Sequence, residues 1–164
     1  MEQLTRDTIR IVHVDDDGDF AELSARGLKR AGFKQPVVRC KDGRLALDYF
    51  AAIEPQTSPH VIILDLHMPG MNGLEVLHWV RQNYAQRDVA VYLLTSSEDP
   101  EHRKQATADG VTEFISKSPL AENLIEKLDR LIDLINAQGK QDGASKCDRE
   151  VATRGLSSFS QPQA

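Results

Sequence analysis

The residues with the most chemical potential in this chain are aspartates that directly follow apolar segments. Asp65 follows the apolar run 61–64, and turn-forming residues occupy 68–70. A carboxylate at the end of a buried strand is costly unless it is solvated, paired with a cation or bound to a metal ion. On its own, an aspartate in this position is more often a helix cap or a loop carboxylate. The role of Asp65 therefore depends on which residues meet it.

Three other apolar segments also end in polar residues. In chain order these residues are Asp15 and Asp16 after 9–14, Thr95 after 89–94, and Lys117 after 113–116. If the first and third strands are neighbours, Asp15 and Asp16 share a crevice with Asp65. Unit charges about 4 Å apart repel by roughly 4 kcal/mol at an effective dielectric constant of about 20. A hard divalent cation relieves that repulsion, and Mg²⁺ prefers oxygen ligands. Asp17 and Asp19 are better explained as helix caps.

Lys117 and Thr95 complete a candidate phosphoryl site. A lysine can balance negative charge or hold a phosphate oxygen, and a threonine hydroxyl can donate a hydrogen bond to one. Taken separately, residues of these types after a strand are usually solvated or start a turn. At matching ends of parallel strands they indicate a site in which Asp65 attacks a phosphorus atom. A metal ion and Lys117 would neutralise the charge of the phosphoryl oxygens.

The elements that must position these residues alternate between strands and helices. Strand patterns occupy 9–14, 37–40, 61–64, 89–94 and 113–116, and a helical pattern follows each of them. This alternation predicts an α/β fold with a parallel sheet covered on both faces and joined by right-handed crossovers. In such sheets a ligand binds outside the carboxyl ends of the strands, where the polar residues above fall. The helical periodicity places Leu23 on one face of the first helix with Phe20, Leu28 and Ala31, and the second helix carries Leu45, Ala46, Tyr49 and Phe50.

The last two helices differ in their expected packing. The fourth begins at Asp99-Pro100 and is polar, so we expect it to be among the less firmly held elements. The fifth follows Ser118-Pro119 and carries an apolar arc that is wider than one packing face needs. That arc either contacts a second copy of the chain or belongs to a long core helix.

Size and composition limit the possible functions. The 164 residues fit one domain at 9–138, with a polar arm at 1–8 and a tail at 139–164 whose composition predicts disorder. A net charge of −5 gives no general attraction to nucleic acid or anionic lipid. No segment has the character of a signal peptide or a membrane span, and two unrelated cysteines indicate no disulfide framework. We therefore expect a cytoplasmic protein that binds neither nucleic acid nor a membrane.

In combination these motifs resemble the receiver domain of response regulators, the family of two-component signalling, over about residues 9–136. The resemblance implies a flavodoxin-like, doubly wound (βα)5 fold with strand order 2-1-3-4-5. The site positions it implies are the phosphoacceptor Asp65, the metal-binding acids Asp15 and Asp16 with the backbone carbonyl of His67, the family's basic residue Lys117, and the switch residues Thr95 and Phe114. The implied cofactor is Mg²⁺, for which Mn²⁺ could substitute.

The same resemblance implies a signalling role rather than enzymatic turnover. A sensor histidine kinase or a phosphotransfer protein would donate the phosphoryl group, which slow self-dephosphorylation would remove. The side chains at His67 and Ser97 would help to set that rate. The signal would pass to an unknown downstream protein by docking, or onward by phosphotransfer, from a monomer or a weak homodimer formed through helix 4, strand 5 and helix 5. The segments HVDDDGDF and LLTSSEDPEHR are similar to stand-alone receivers encoded with phytochrome-type or other sensor kinases.

Two departures from the family pattern concern the fifth strand. The family's Lys-Pro is here Lys117-Ser118-Pro119, so the usual cis bond after the lysine is absent and the loop can differ. Phe114 stands where tyrosine is frequent and has no hydroxyl group. A plain core phenylalanine is the competing interpretation of that residue.

Three other functions fit parts of the pattern. A phosphatase of the haloacid dehalogenase type would need a second acid two residues after Asp65, where His67 stands. A flavodoxin would need a phosphate-binding loop after the first strand, where the acidic run 15–19 would repel the anion. A receiver-fold adaptor that works without phosphorylation is the serious alternative, although the complete set of site residues does not favour it.

Overall fold

A parallel β-sheet lies at the centre of the fold. The computed structural model describes residues 3–53, 60–95, 99–117 and 123–138. Within these ranges the strands are β1 (Arg10–Val14), β2 (Val38–Cys40), β3 (His60–Asp65), β4 (Val89–Thr95) and β5 (Glu113–Ser116). They pair in parallel in the order β2-β1-β3-β4-β5. This order confirms the predicted doubly wound α/β fold.

A helix follows each strand, and capping residues determine where four of the helices begin. The helices are α1 (Gly18–Arg30), α2 (Gly43–Ala51), α3 (Gly73–Asn83), α4 (Pro100–Ala108) and α5 (residues 123–138). Asp17, Asp42 and Asp99 cap α1, α2 and α4, because a carboxylate oxygen of each accepts a hydrogen bond from a backbone N–H of the first turn. Asn72 and Glu75 form a reciprocal capping box at the start of α3.

The strand side chains alternate between two hydrophobic cores, one on each face of the sheet. The core under α2, α3 and α4 contains Val12, Val14, Ile62, Leu64 and Leu93 with Ala46, Phe50, Leu77, Val80 and Ala106. The core under α1 and α5 contains Ile11, Val61, Ile63, Tyr92 and Leu94 with Leu28, Leu124, Leu128 and Ile132. Burial on both faces explains the continuous apolar runs of β3 and β4, and it fixes their carboxyl ends at one edge.

Two leucines of the predicted helical patterns are exposed. Leu23 is 67% exposed, so its predicted place on the packing face of α1 is wrong, and Leu45 in α2 is 43% exposed. The residues that are buried are Ala21, Ser24 and Leu28 in α1, and Gly43, Ala46 and Phe50 in α2. Each buried set follows the i, i+3, i+7 spacing of one helical face. Each leucine comes two residues after the first member of its set, which rotates it by about 200° away from that face.

Helices α4 and α5 differ in how they pack against the sheet. In α4, Ala106 is the residue that becomes buried, which fits a weakly anchored helix. The buried apolar residues of α5 are Leu124, Leu128, Leu131 and Ile132. Most of the apolar arc of α5 therefore belongs to the core, which favours the core-helix interpretation. Leu134, on the same helix, is 60% exposed.

Part of the predicted N-terminal arm lies against α5. The Leu4 N–H donates to Asn136 Oδ1 at 2.9 Å, and Asn136 Nδ2 donates back to the Leu4 carbonyl at 2.8 Å. Arg6 forms an ion pair with Asp129 of the same helix. The predictions for Ser97, for Ser118-Pro119 and for the tail at 139–164 fall outside the described residues and stay predictions.

Gly73 allows α3 to approach the end of β3, and its replacement tests that packing. A Cβ atom at this position would lie 2.9 Å from Leu66 Cα and would also collide with the Asp65 carbonyl oxygen. Both obstacles are backbone atoms, which cannot move aside cheaply. We therefore expect Gly73→Ala to lower the free energy of unfolding by about 1–3 kcal/mol, as measured by urea-induced unfolding followed by circular dichroism.

Gly18→Ala is the matched control for this substitution. A Cβ atom at Gly18 meets no other atom within 4 Å, so the variant should keep its stability or gain slightly. Equal losses in the two variants, or no loss in Gly73→Ala, would contradict the proposed close approach.

Candidate functional site

The predicted carboxylates meet at the carboxyl edge of β1 and β3. Val14 of β1 is level with Leu64 of β3, so Asp15 and Asp65 follow at the same height. One carboxylate oxygen from each of Asp15, Asp16 and Asp65 lies within 4.8 Å of the others. Asp15 and Asp65 are buried, at 3% and 4% exposure, whereas Asp16 is exposed. The cluster is therefore closed on the side of the core and accessible through Asp16.

Strands β4 and β5 bring a hydroxyl and an ammonium group to the same edge. Asp65 is level with Leu94 of β4, so Thr95 lies one residue beyond the level of Asp65. Thr95 is in turn level with Ser116 of β5, and Lys117 follows Ser116 directly. Thr95 is buried. Lys117 Nζ lies 3.1 Å from Asp65 Oδ2 and 3.3 Å from Asp15 Oδ2. One ammonium group thus bridges the two buried carboxylates.

Backbone N–H groups hold the other oxygen of each buried carboxylate. The Asp17 N–H donates to Asp15 Oδ1 at 2.9 Å, and the His67 N–H donates to Asp65 Oδ1 at 3.3 Å. Asp15 Oδ2 is buried, and its polar neighbours in the described part of the chain are Lys117 Nζ at 3.3 Å and His13 Nε2 at 3.7 Å. Two buried carboxylates that share one ammonium group keep a net negative charge, which favours the presence of a further cation.

The local electrostatics shift the pKa values of the two buried acids in opposite directions. Burial and then the charge of Asp15 raise the pKa of Asp65, and Lys117 offsets this only in part. Burial also acts to raise the pKa of Asp15, but His13, the Asp17 N–H and Lys117 outweigh it, so that this pKa is lowered. Burial acts to lower the pKa of Lys117, yet the two carboxylates outweigh it and raise this pKa. Asp65 is therefore the buried acid whose charge is less well compensated.

His67 and Phe114, the remaining predicted positions, both contact α4. The exposed His67 ring makes an edge-to-face contact with His102, with the ring centroids 5.7 Å apart. Phe114 is half-buried in β5 and packs against the core under α4. The guanidinium carbon of Arg103 lies over the Phe114 ring, 4.6 Å from its centroid. His67, next to the acidic cluster, and Phe114, on β5, therefore both contact helix α4.

Two residues, His13 and Phe20, make contacts at the site that were not predicted from the sequence. His13 of β1 is fully buried, and its Nε2 lies 3.7 Å from Asp15 Oδ2. The Phe20 ring of α1 lies 5.0 Å from Lys117 Nζ and makes an edge-to-face contact with His13. The available signal for His13 was a polar residue within an apolar strand. No local pattern signals the contact between Phe20 and a lysine so distant in sequence.

Comparison with known families identifies the chain. The family model for the response regulator receiver domain matches residues 11–129. The chain belongs to this family. The receiver is 30% identical over 120 residues to the probable methanogenesis regulatory protein FilR2 of Methanothrix harundinacea, which covers 72% of the chain and 77% of FilR2. Receiver domains are signalling domains rather than enzymes in the usual sense.

The fold of the receiver also matches solved structures. The chemotaxis protein CheY4 of Vibrio cholerae superposes with a TM-score of 0.64 at 29% identity, covering 76% of this chain and 98% of that structure. The response regulator MprA of Mycolicibacterium vanbaalenii is 32% identical over 138 residues, which are 84% of this chain but 55% of MprA. The chain thus spans about half the length of several curated relatives. Across the described segments, every helix is too short or too polar to cross a membrane.

The acidic cluster of this receiver fits a hard divalent cation. Receiver domains bind Mg²⁺ at an acidic pocket, and the pocket here offers Asp15, Asp16 and Asp65. Magnesium takes oxygen ligands, is usually held by one or two carboxylates, and keeps several water molecules. Asp15 and Asp65 share the ammonium group of Lys117, and the pKa of Asp65 is raised, which indicates negative charge that the described residues do not fully compensate.

Asp65→Asn tests the electrostatic cost of this cluster in the metal-free receiver. Because the pKa of Asp65 is raised in the folded state, the ionised carboxylate favours the unfolded chain at neutral pH. We expect the variant to be more stable than the parent at neutral pH. The difference should vanish as the pH falls through the raised pKa, because the parent is then protonated as well. Thermal unfolding in the presence of a chelator, followed across the acidic range, measures this.

Asp133→Asn on the exposed face of α5 is the matched control. It should leave the unfolding temperature unchanged across the same pH range. A parent that is as stable as Asp65→Asn at neutral pH would show that the ionised carboxylate carries no such cost.

Proposed function

We propose that this receiver accepts a phosphoryl group on Asp65 from a histidine kinase or a phosphotransfer protein, in a reaction that depends on Mg²⁺. The observation that carries the proposal is the position of Lys117 Nζ, 3.1 Å from Asp65 Oδ2 and 3.3 Å from Asp15 Oδ2. A fixed ammonium beside a carboxylate whose pKa is raised is suited to phosphoryl chemistry.

Asp65 is the nucleophile in the proposed reaction. One of its carboxylate oxygens forms a bond to the phosphorus atom of a phosphohistidine while the P–N bond breaks. The departing imidazole keeps the bonding electron pair and takes a proton from solvent. Lys117 neutralises charge on the transferred group, because its Nζ can donate to a phosphoryl oxygen from where it stands.

The metal ligands in this proposal are Asp15, Asp16, Asp65 and the backbone carbonyl of His67. Bound there, Mg²⁺ supplies positive charge to the phosphoryl oxygens. The exposed Asp16 lies where a phosphodonor would enter. Mn²⁺ could substitute, because it accepts the same oxygen donors in octahedral geometry.

Thr95 and Phe114 are the proposed switch residues. Thr95 is buried one residue beyond the level of Asp65, so its hydroxyl group can move towards new phosphoryl oxygens. The space it leaves can admit the half-buried Phe114, whose ring already contacts Arg103 of α4. The change would then reach the surface formed by α4, β5 and α5.

That surface is where we propose that the signal leaves the receiver in the cytoplasm. Through this surface the receiver would dock on a downstream protein or form a weak homodimer. Alternatively, the receiver would pass the phosphoryl group onward to another protein. Slow self-dephosphorylation of Asp65 would end the signal. The alternative function, an adaptor that needs no phosphorylation, makes no use of the ammonium between the two carboxylates.

Labelling with acetyl phosphate tests the proposal. We expect the parent protein to gain the mass of one phosphoryl group, stable in acid and labile in base, when Mg²⁺ is present and not when it is chelated. Asp65→Asn should abolish the gain because the nucleophile is lost, whereas Asp133→Asn should label like the parent. Intact-protein mass spectrometry is the measurement. Normal labelling of Asp65→Asn would place the nucleophile elsewhere, and an unlabelled parent would favour the adaptor.

Lys117→Ala separates metal binding from transmission. Lys117 contacts the carboxylates through their Oδ2 atoms, and its loss removes a competing cation, so calorimetry should show Mg²⁺ binding retained. The phosphorylation-induced amide shifts of α4 in NMR spectra should be reduced or absent. The exposed Lys104→Ala should keep both properties. Normal α4 shifts in phosphorylated Lys117→Ala would remove Lys117 from the transmission step.

A further inference from the structure

We infer that Phe20 is a positioning residue for Lys117, and that the face of its ring holds the ammonium group in place between Asp15 and Asp65. This inference rests on the proposed phosphoryl transfer to Asp65 and extends it to a residue on α1. The phenyl ring is 5.0 Å from Lys117 Nζ, measured to its centroid. At that separation a lysine ammonium is attracted by the negative face of an aromatic ring.

The three groups around Lys117 come from three different elements. Asp15 follows β1, Asp65 ends β3, and Phe20 belongs to the first turn of α1. Lysine carries a compact ammonium on a flexible four-carbon stem, with three N–H donors that can rotate. Two carboxylates attract that group but leave its third side unconstrained. The ring supplies an attraction on another side of the ammonium.

The position of the ring is itself fixed by the acidic loop. The Phe20 N–H donates to Asp17 Oδ1 at 3.0 Å, as part of the cap of α1, and the Asp17 N–H donates to Asp15 Oδ1. The fully buried His13 meets the Phe20 ring edge-to-face, with centroids 6.0 Å apart. The ring is therefore held by the same segment that carries the proposed metal ligands.

A ring is better suited to this task than a third carboxylate would be. Its quadrupole attracts the ammonium without adding negative charge to a crowded acidic cluster. Lys117 therefore keeps its full charge available for the phosphoryl oxygens. The competing interpretation is that Phe20 only fills space, since it also packs against the core under α1 and α5.

Stepwise fluorination of the Phe20 ring distinguishes these interpretations. Replacing Phe20 with mono-, di- and trifluorophenylalanine weakens the quadrupole while nearly keeping the ring's shape. We expect the labelling rate by acetyl phosphate at saturating Mg²⁺ to fall with each fluorine, by about two- to fivefold over the series. The Mg²⁺ concentration for half-maximal rate should stay unchanged, because the ring contacts Lys117 and His13 and is not itself a proposed metal ligand. Phe20→Leu should resemble the trifluoro variant, and Phe20→Tyr should label like the parent.

The mobility of Lys117 is the second readout, and it does not depend on phosphorylation. NMR relaxation of ¹³Cε-labelled lysines should show increasing motion of Lys117 along the series, with Lys104 unaffected. The matched control is Phe33, whose ring lies 5.3 Å from the Arg6 guanidinium carbon, and its fluorination should change neither readout. If Lys117 mobility and the labelling rate both ignore fluorination of Phe20, the ring only fills space and the inference is wrong. An unlabelled parent would overturn the proposed function instead, while Lys117 mobility would still decide the role of Phe20.

Discussion

The ammonium group of Lys117 between two buried carboxylates is the interaction on which the functional edge depends. Asp15 and Asp65 are nearly inaccessible to water, so their mutual repulsion is weakly screened. His13, the Asp17 N–H and Lys117 together lower the pKa of Asp15 against the effect of burial, but the pKa of Asp65 remains raised. The negative charge that is less well compensated is therefore that of Asp65. That carboxylate is also the one that we propose accepts the phosphoryl group.

The rest of the fold brings these charged groups to the same level at the carboxyl edge of the sheet. Burial of β3 on both faces fixes the register that places Asp65 beside Asp15. Gly73 then lets α3 pass directly over the backbone at the end of β3. A sheet with a looser register would separate the charges and remove the repulsion. Stability of the two cores is therefore what makes the unfavourable cluster possible.

The sequence was sufficient to predict that these residues meet at one edge, because their placement follows from strand ends. Asp15, Asp65 and Lys117 each follow an apolar run, and parallel strands end at one edge whatever fills the helices between them. The failures have a different origin. Leu23 was placed on the apolar face by its spacing, but the buried face of α1 runs through Ala21, Ser24 and Leu28. The contact of Phe20 with Lys117 joins α1 to β5, and such contacts depend on three-dimensional packing that has no local pattern.

The weak anchoring of α4 follows from its polar sequence, and it bears on how a signal can leave the site. Ala106 is the α4 residue that is buried, while His102 and Arg103 contact His67 and Phe114. Full reversal of a two-state population from 1:99 needs about 5.5 kcal/mol. A charge-assisted hydrogen bond contributes about 1.5–3 kcal/mol, so about two to four new bonds to a phosphoryl group on Asp65 would suffice. A firmly packed helix would add the cost of breaking its core contacts, whereas α4 has few to lose.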